Sequence, residues 1–157
     1  MSDHESFMRR AIEISAERMR ANQGGPFGAV IVRDGKIIAE GFNQVTSSND
    51  PTAHAEVEAI REAGRTLSDF NLKGCVIYTS CEPCPMCLSA IYWARIDHIY
   101  YANTREDAAD IGFDDAFLYD EVAKPIEDRS LPMGHIVLSQ AAEIFEEWRN
   151  KEDKIEY

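Results

Sequence analysis

Thr79-Ser80-Cys81-Glu82-Pro83-Cys84-Pro85-Met86-Cys87 is the stretch that decides how this chain reads, and His54-Ala55-Glu56 answers it upstream. Imidazole and thiolate are the ligand types that zinc takes in proteins. One imidazole and two thiolates fill three corners of a tetrahedral Zn²⁺ and leave the fourth for water. Bound zinc brings the pKa of such a water to about 7, so hydroxide is available at neutral pH. Glu56, which need not be a ligand, is placed to take the water's proton. The pattern is that of an open, catalytic metal site.

The cysteine register has to be chosen, because Cys81, Cys84 and Cys87 form two overlapping C-x-x-C pairs. Lys73 to Thr79 reads as a buried strand, with Cys81 just beyond its end. Pro83 and Pro85 suit the start of a helix, where a missing N–H costs least. Cys84 then falls in the first helical turn and Cys87 on the same side, three residues on. The positive end of the helix dipole favours thiolates there. Cys84 and Cys87 are therefore taken as ligands with His54, and Cys81 as a supporting or packing residue. The alternative is a closed, non-catalytic zinc module with Cys81 as fourth ligand. Such a site has no use for a glutamate beside its histidine.

The 157 residues suit one domain of ordinary size. Its formal charge of −12, from 28 acidic against 16 basic residues, repels phosphate backbones and anionic membranes. No nucleic-acid polymer and no membrane is expected as a partner. Four cysteines, three of them in one cluster, do not form a secreted disulfide framework. Met1-Ser2-Asp3-His4-Glu5 lacks a basic region followed by an apolar run, and no stretch approaches the ~20 apolar residues of a membrane helix. The expectation is a soluble protein of a reducing cytoplasm. No internal repeat or linker interrupts the chain.

In chain order, Ser2 or Asp3 caps a first helix running to about Ala21. Phe27 to Val32 and Ile37 to Asn43 read as strands joined by Arg33-Asp34-Gly35-Lys36, whose Asp-Gly is a hairpin signal. Thr46 to Pro51 reads as a polar loop, and Ala53 to Leu67 as a helix. His54 and Glu56, two apart, converge on one metal only if His54 sits at the very start of that helix. Past the cysteine helix, His98 to Ala102 is a strand, Thr104 to Asp110 a short helix and Gly112-Phe113-Asp114-Asp115 a loop. Leu118 to Met133 reads as irregular and Ile136 to Leu138 as a final strand. Ala141 to Trp148 is a last amphipathic helix. Strand–helix–strand crossovers imply an α/β protein, with a central sheet covered by helices on both faces and parallel later strands.

His-x-Glu followed by Pro-Cys-x-x-Cys is the signature of zinc deaminases acting on nucleobases. Nearly end to end, the chain resembles the cytidine deaminase-like superfamily and, within it, the bacterial guanine deaminases. The matching stretches include Gly25-Pro26-Phe27-Gly28-Ala29-Val30, Asn49 to Glu56, Tyr78 to Cys87, Ala90-Ile91-Tyr92-Trp93-Ala94-Arg95 and Gly112-Phe113-Asp114-Asp115. The zinc motif specifies only the superfamily; the Gly-Phe-Asp-Asp loop and the terminal Tyr157 point to guanine. The resemblance implies a three-layer α/β/α fold with a mixed five-stranded sheet ordered 2-1-3-4-5. It further implies hydrolysis of guanine to xanthine and ammonia, and a homodimer that exchanges its C-terminal segments, residues 140–157. Its base-contacting positions fall on Phe27, Asn43, Ala55, Trp93, Asp115 and Tyr157. Glu56 acts as acid and base in turn, with Asp115 assisting departure of the amino group.

Each of these residues also has a plainer reading. Asn43, at a strand end, can satisfy the next loop's backbone or present both a donor and an acceptor to a purine edge. Phe27 and Trp93 can be core aromatics, although a planar purine needs flat apolar walls. His4, His98 and His135 have no partners at ligand spacing, and Cys75 reads as a small buried residue. Three rival functions share the motif. A transfer-RNA adenosine deaminase must hold an anticodon stem, against which the charge argues. A deaminase of another free base or a triazine differs only in pocket polarity. The non-catalytic zinc module is the third.

Overall fold

Alternation along the first strand sets the layers. The computed structural model describes residues 3–157. In β1 (Gly28–Arg33), Ala29 and Ile31 join one buried cluster while Val30 and Val32 join another on the opposite face. This is the period-2 pattern of a strand buried on both sides. β1 pairs antiparallel with β2 (Lys36–Phe42) through Asp34 and Gly35, both at positive φ as a two-residue hairpin requires. On its other edge β1 pairs antiparallel with β3 (Cys75–Cys81), and β3 pairs parallel with β4 (His98–Asn103).

α1 (Asp3–Arg20) covers one face, placing Ala11 and Ile14 against Val30, Val32 and Tyr78. Ser2, the alternative cap, lies outside the described residues. α2 (Val45–Ser48) follows β2; α3 (Ala55–Leu67) and α4 (Pro85–Trp93) cover the second face. There Ala55, Ala59, Ala63 and Ile91 meet Ile31, Ile77 and Leu72, each large side chain contributing about 1.5–3 kcal/mol on burial. Small residues let α3 ride low on the sheet. A Cβ on Gly41 would lie 2.1 Å from the Ala55 carbonyl oxygen. That close approach brings the start of α3 to the C-terminal end of β3.

The α/β architecture is as expected, but the sheet has four strands among the described residues, in the order β2-β1-β3-β4, and not five. Ile136, Val137 and Leu138 are exposed and form no strand: their apolar composition favours one, but composition without a paired neighbour does not make a strand. Expected boundaries also move. The stretch read as a loop begins with α2, whose serine hydroxyls return to the Gln44 carbonyl and which ends at Asn49 in the left-handed region. β3 is displaced two residues towards the C-terminus, Cys75–Cys81 in place of Lys73 to Thr79, because Gly74 at positive φ makes the turn that precedes it, and Cys81 is its last residue. α5 (Arg105–Asp110) is fixed by a capping box between Thr104 and Asp107.

The chain forms two compact units, divided between Ala116 and Phe117. The second contains most of α6 (Ala116–Ala123), a 3₁₀ turn at Ile126–Asp128 and α7 (Ser139–Asn150), so the stretch read as irregular is partly helical. Among the described residues, no helix is long and apolar enough to cross a membrane.

Candidate active site

Two helix starts carry the polar cluster. His54 is the N-cap of α3, with extended backbone (φ −73°, ψ 156°), so its ring turns back while Glu56 lies in the first turn. This is the placement that lets residues two apart face one point. Cys84 is the N-cap of α4, one position earlier than expected, because Pro85 with its fixed φ opens the helix. Cys87 follows one turn later. The Nδ1 of His54 lies 3.6 Å from the Cys84 Sγ and 3.5 Å from the Cys87 Sγ. One donor atom from each of the three residues falls within 4.8 Å of the others.

This donor set fits zinc. Tetrahedral angles with Zn–N near 2.0–2.1 Å and Zn–S near 2.3 Å put nitrogen and sulfur about 3.5–3.6 Å apart. Cys81 is left out of the cluster; its Sγ points to the Thr104 carbonyl at 3.7 Å. Protonation follows the same division. Hydrogen bonding to Cys87 first, then to His54, holds the Cys84 thiol down to about 4, against the opposing effect of burial. The same bond and burial push Cys87 up. His54 is raised chiefly by its bond to Cys84. Burial, with Glu56 and Asp115 nearby, pushes the Cys81 thiol up to about 11. A negative sulfur beside imidazole, at two positive helix ends, is a site made for a cation.

Glu56 is 6% exposed, and burial is the main cause of its raised pKa. Its Oε1 accepts from the Thr79 hydroxyl at 3.0 Å. Phe27, Asn43, His54, Glu56, Cys84 and Asp115 all line one cavity of about 830 Å³. Asn43 is buried, and its Oδ1 accepts from the backbone N–H of Gly25 at 3.3 Å and of Val45 at 3.1 Å. The side-chain oxygen is thus committed, and only the amide nitrogen remains for the cavity. Asn43 therefore satisfies the backbone of the neighbouring loops, its plainer reading. Gly24 permits this approach, since a Cβ there would stand 1.8 Å from the Asn43 carbonyl oxygen. Asp115 is raised mainly by desolvation.

Two expected contacts, Ala55 and Trp93, do not line this cavity. Ala55 is fully buried in the core beneath α3. Trp93 ends α4, is 63% exposed and is not on the cavity; the Arg95 guanidinium stands 5.8 Å from its ring. Tyr157 belongs to the second unit and is 75% exposed. The cavity also recruits residues not singled out as site residues. Phe113 meets Phe27 edge to face at 4.9 Å. Glu82 accepts from the Arg105 N–H and pairs with its Nε, each at 3.2 Å. Their signal was the loop in which Phe113 sits and the position of Glu82 inside the cysteine motif.

Comparisons with known proteins agree with this geometry. The guanine deaminase of Bacillus subtilis is 55% identical over 155 residues, covering 99% of each chain. An X-ray structure of that enzyme superposes with a TM-score of 0.96, covering 100% of this chain and 99% of the other. A tRNA-specific adenosine deaminase of Aquifex aeolicus is 33% identical over 137 residues, 86% of this chain and 88% of that protein. Residues 1–103 match the model of the cytidine and deoxycytidylate deaminase zinc-binding region, and the chain belongs to that zinc-binding deaminase family.

Proposed function

We propose that the chain is a hydrolase that deaminates guanine to xanthine and ammonia, using zinc held by His54, Cys84 and Cys87. The observation that carries this reading is the buried Glu56 carboxyl on the same cavity as His54 and Cys84, two of the three clustered donors. When bound there, zinc supplies an acidified water as nucleophile. Glu56 takes a proton from the attacking water and delivers it to a ring nitrogen of the base, making C2 electrophilic. The water oxygen adds to C2; Glu56 then takes the remaining proton of the added hydroxyl and passes it to the exocyclic amine, so that the exocyclic C2–N bond breaks, ammonia leaves and the C2 carbonyl of xanthine forms. Phe27 offers a flat wall, braced by Phe113. The Asn43 amide nitrogen donates to an acceptor edge of the purine, and the Asp115 carboxylate accepts from its N–H groups. A donor facing a carbonyl-bearing edge favours an oxopurine over adenine.

Two further parts of the reading concern context. The segment 117–157 supports a homodimer in which residues 140–157 cross to the partner and Tyr157 completes the partner's pocket. Ile136 and Val137 are 82% and 79% exposed, and Phe145, Trp148 and Tyr157 are uncovered as well. An apolar surface of this kind calls for a second chain. Trp93, away from its own cavity, belongs to the same assembled state. The absence of a disulfide among the four cysteines supports a reducing cytoplasm, and the substrate supports a role in purine breakdown or salvage. The deciding assay is ammonia release from guanine, adenine, cytosine, cytidine and a tRNA anticodon stem-loop. Guanine is expected to lead by orders of magnitude; turnover of the stem-loop alone would replace this reading with the RNA one.

A further inference from the structure

Thr79 is a polar residue at a position where the strand pattern asks for an apolar one. Cys75, Ile77, Thr79 and Cys81 alternate along β3, and the first two sit in the core beneath α3 and α4. Thr79 is 1% exposed and does not line the cavity. Its backbone is locked between two strands, opposite Ala29 of β1 and Tyr101 of β4. From that platform the hydroxyl lies 3.0 Å from Glu56 Oε1 and 3.0 Å from the Cys81 carbonyl oxygen. A hydroxyl carries one proton, so the two acceptors compete for it. A charged carboxylate is the stronger acceptor, and the Cys81 carbonyl takes what remains.

We infer that Thr79 is a positioning residue: its hydroxyl fixes Glu56 Oε1 against a strand paired on both edges, which aims the carboxyl at the reacting water and the base. This rests on the deamination reading of the site. The physical reason is rotamer freedom. Glu56 has three side-chain torsions, and a general base delivers its full effect only when its oxygen is within hydrogen-bond reach of the proton it moves. A displacement of about 1 Å in such a group costs on the order of 10²-fold in rate. Thr79 touches neither the substrate nor the three donors, so removing its hydroxyl should change turnover and leave ground-state binding alone.

Thr79→Val keeps the shape and removes the hydroxyl, whereas Thr79→Ser keeps the hydroxyl and removes a methyl. Zinc content, guanine kinetics and a crystal structure are measured for both beside the wild type. Thr79→Val is expected to lower kcat by roughly 10–100-fold, with KM within about two-fold and zinc content unchanged. Its Glu56 carboxyl should leave the wild-type position. Thr79→Ser should keep kcat within about three-fold of wild type and hold Glu56 in place. A Thr79→Val enzyme with wild-type kcat, or a Thr79→Ser enzyme as impaired as Thr79→Val, overturns the inference. If Thr79→Val does not fold, Thr79→Ala takes its place beside Thr79→Ser. A wild type that releases no ammonia from guanine defeats the deamination reading instead. Thr79 is then decided by the Glu56 position in the crystal structures: displaced in Thr79→Val and kept in Thr79→Ser supports it, and an unmoved carboxyl in both overturns it.

Discussion

Residues up to Ala116 and the segment Phe117–Tyr157 are made of the same kinds of residue, yet they solve opposite problems. The first unit buries both faces of its sheet and spends its polar groups on one cavity. Among the described residues, every buried side chain lies in that unit. The second unit has two helices and a wealth of large apolar side chains, all exposed but the half-buried Leu118 and Tyr119. What holds its shape is polar: Glu121 accepts from the Ser130 backbone and hydroxyl and pairs with Lys124, while Arg129 donates to the Glu121 and Val122 carbonyls. A segment that folds on hydrogen bonds and leaves its apolar atoms in water is built for a surface other than its own.

The hardest break is at the metal. Cys84→Ala removes a ligand and a negative sulfur, so zinc content and guanine turnover should both collapse, as they should on chelation. Cys81→Ala should retain the metal, because the Cys81 sulfur faces the Thr104 carbonyl. Metal analysis of the two purified variants is the check. A metal-free Cys81→Ala beside a metal-loaded Cys84→Ala would reverse the ligand assignment.

Next in size is the proton carrier. Glu56→Gln keeps the volume and the Thr79 contact but removes the base, so turnover should fall by roughly 10²–10⁴-fold or more. Zinc content and guanine binding should survive. A zinc-loaded Glu56→Gln protein with near-normal turnover would take Glu56 out of the mechanism. Both variants act on the first unit and should leave the association of subunits untouched.

The ligand chemistry was legible in the sequence because it depends on residue type and local spacing. His54, Cys84 and Cys87 announce themselves, and Pro85 settles where the cysteine helix starts. The layers were legible too, from the strand–helix–strand crossovers, and the first hairpin from its Asp34-Gly35 turn. What could not be read there depends on contacts distant in sequence. Thr79 and Glu56 lie on different elements, and only an inward-facing threonine in an apolar strand hinted at their meeting. The commitment of the Asn43 oxygen to two loops needs the loops in place. Ala55 and Trp93 carry motif positions, but the direction of a side chain is set by packing, and theirs lead into the core and out to solvent. Ile136 to Leu138 have a strand's composition without a strand to pair with. Propensity proposes such a segment, and a neighbour decides it.

A gentler break separates the two units directly. Deleting Ile155 to Tyr157 removes two exposed apolar residues and nothing from the cavity's own lining. If the tail closes the partner's site, guanine turnover should drop by at least about ten-fold while zinc and the dimer persist. Mixing then sharpens the result. In a heterodimer of the truncated chain with Glu56→Gln, the intact tail of one subunit meets the intact Glu56 of the other. Activity should return in the mixture although each parent is impaired. No gain on mixing, or full activity in the truncated protein alone, would leave the tail outside the site.

The smallest expected effect tests whether the second unit really stands on polar contacts. Lys124 and both Ser130 groups hold the Glu121 carboxyl down to about 2, from an ordinary value of 4.5. A carboxylate with a depressed folded pKa stabilises the fold above its unfolded value, and that contribution is lost as the pH falls from 4.5 towards 2. The group is solvent-accessible and its ion pair is screened, so the effect at neutral pH is modest. Glu121→Gln keeps an acceptor for Ser130 and loses the charge. Limited proteolysis between Pro125 and Met133 at pH 7 should therefore quicken by only about two- to five-fold, and added salt should narrow the gap. The first unit, with its apolar core, should show no difference in either test. The Glu121 carboxyl carbon shift gives the second reading: the group should stay ionised as the pH falls through 4.5, its ordinary value. A Glu121 midpoint near 4.5, together with salt-independent proteolysis, would mean that this segment is held by something other than its polar clamp.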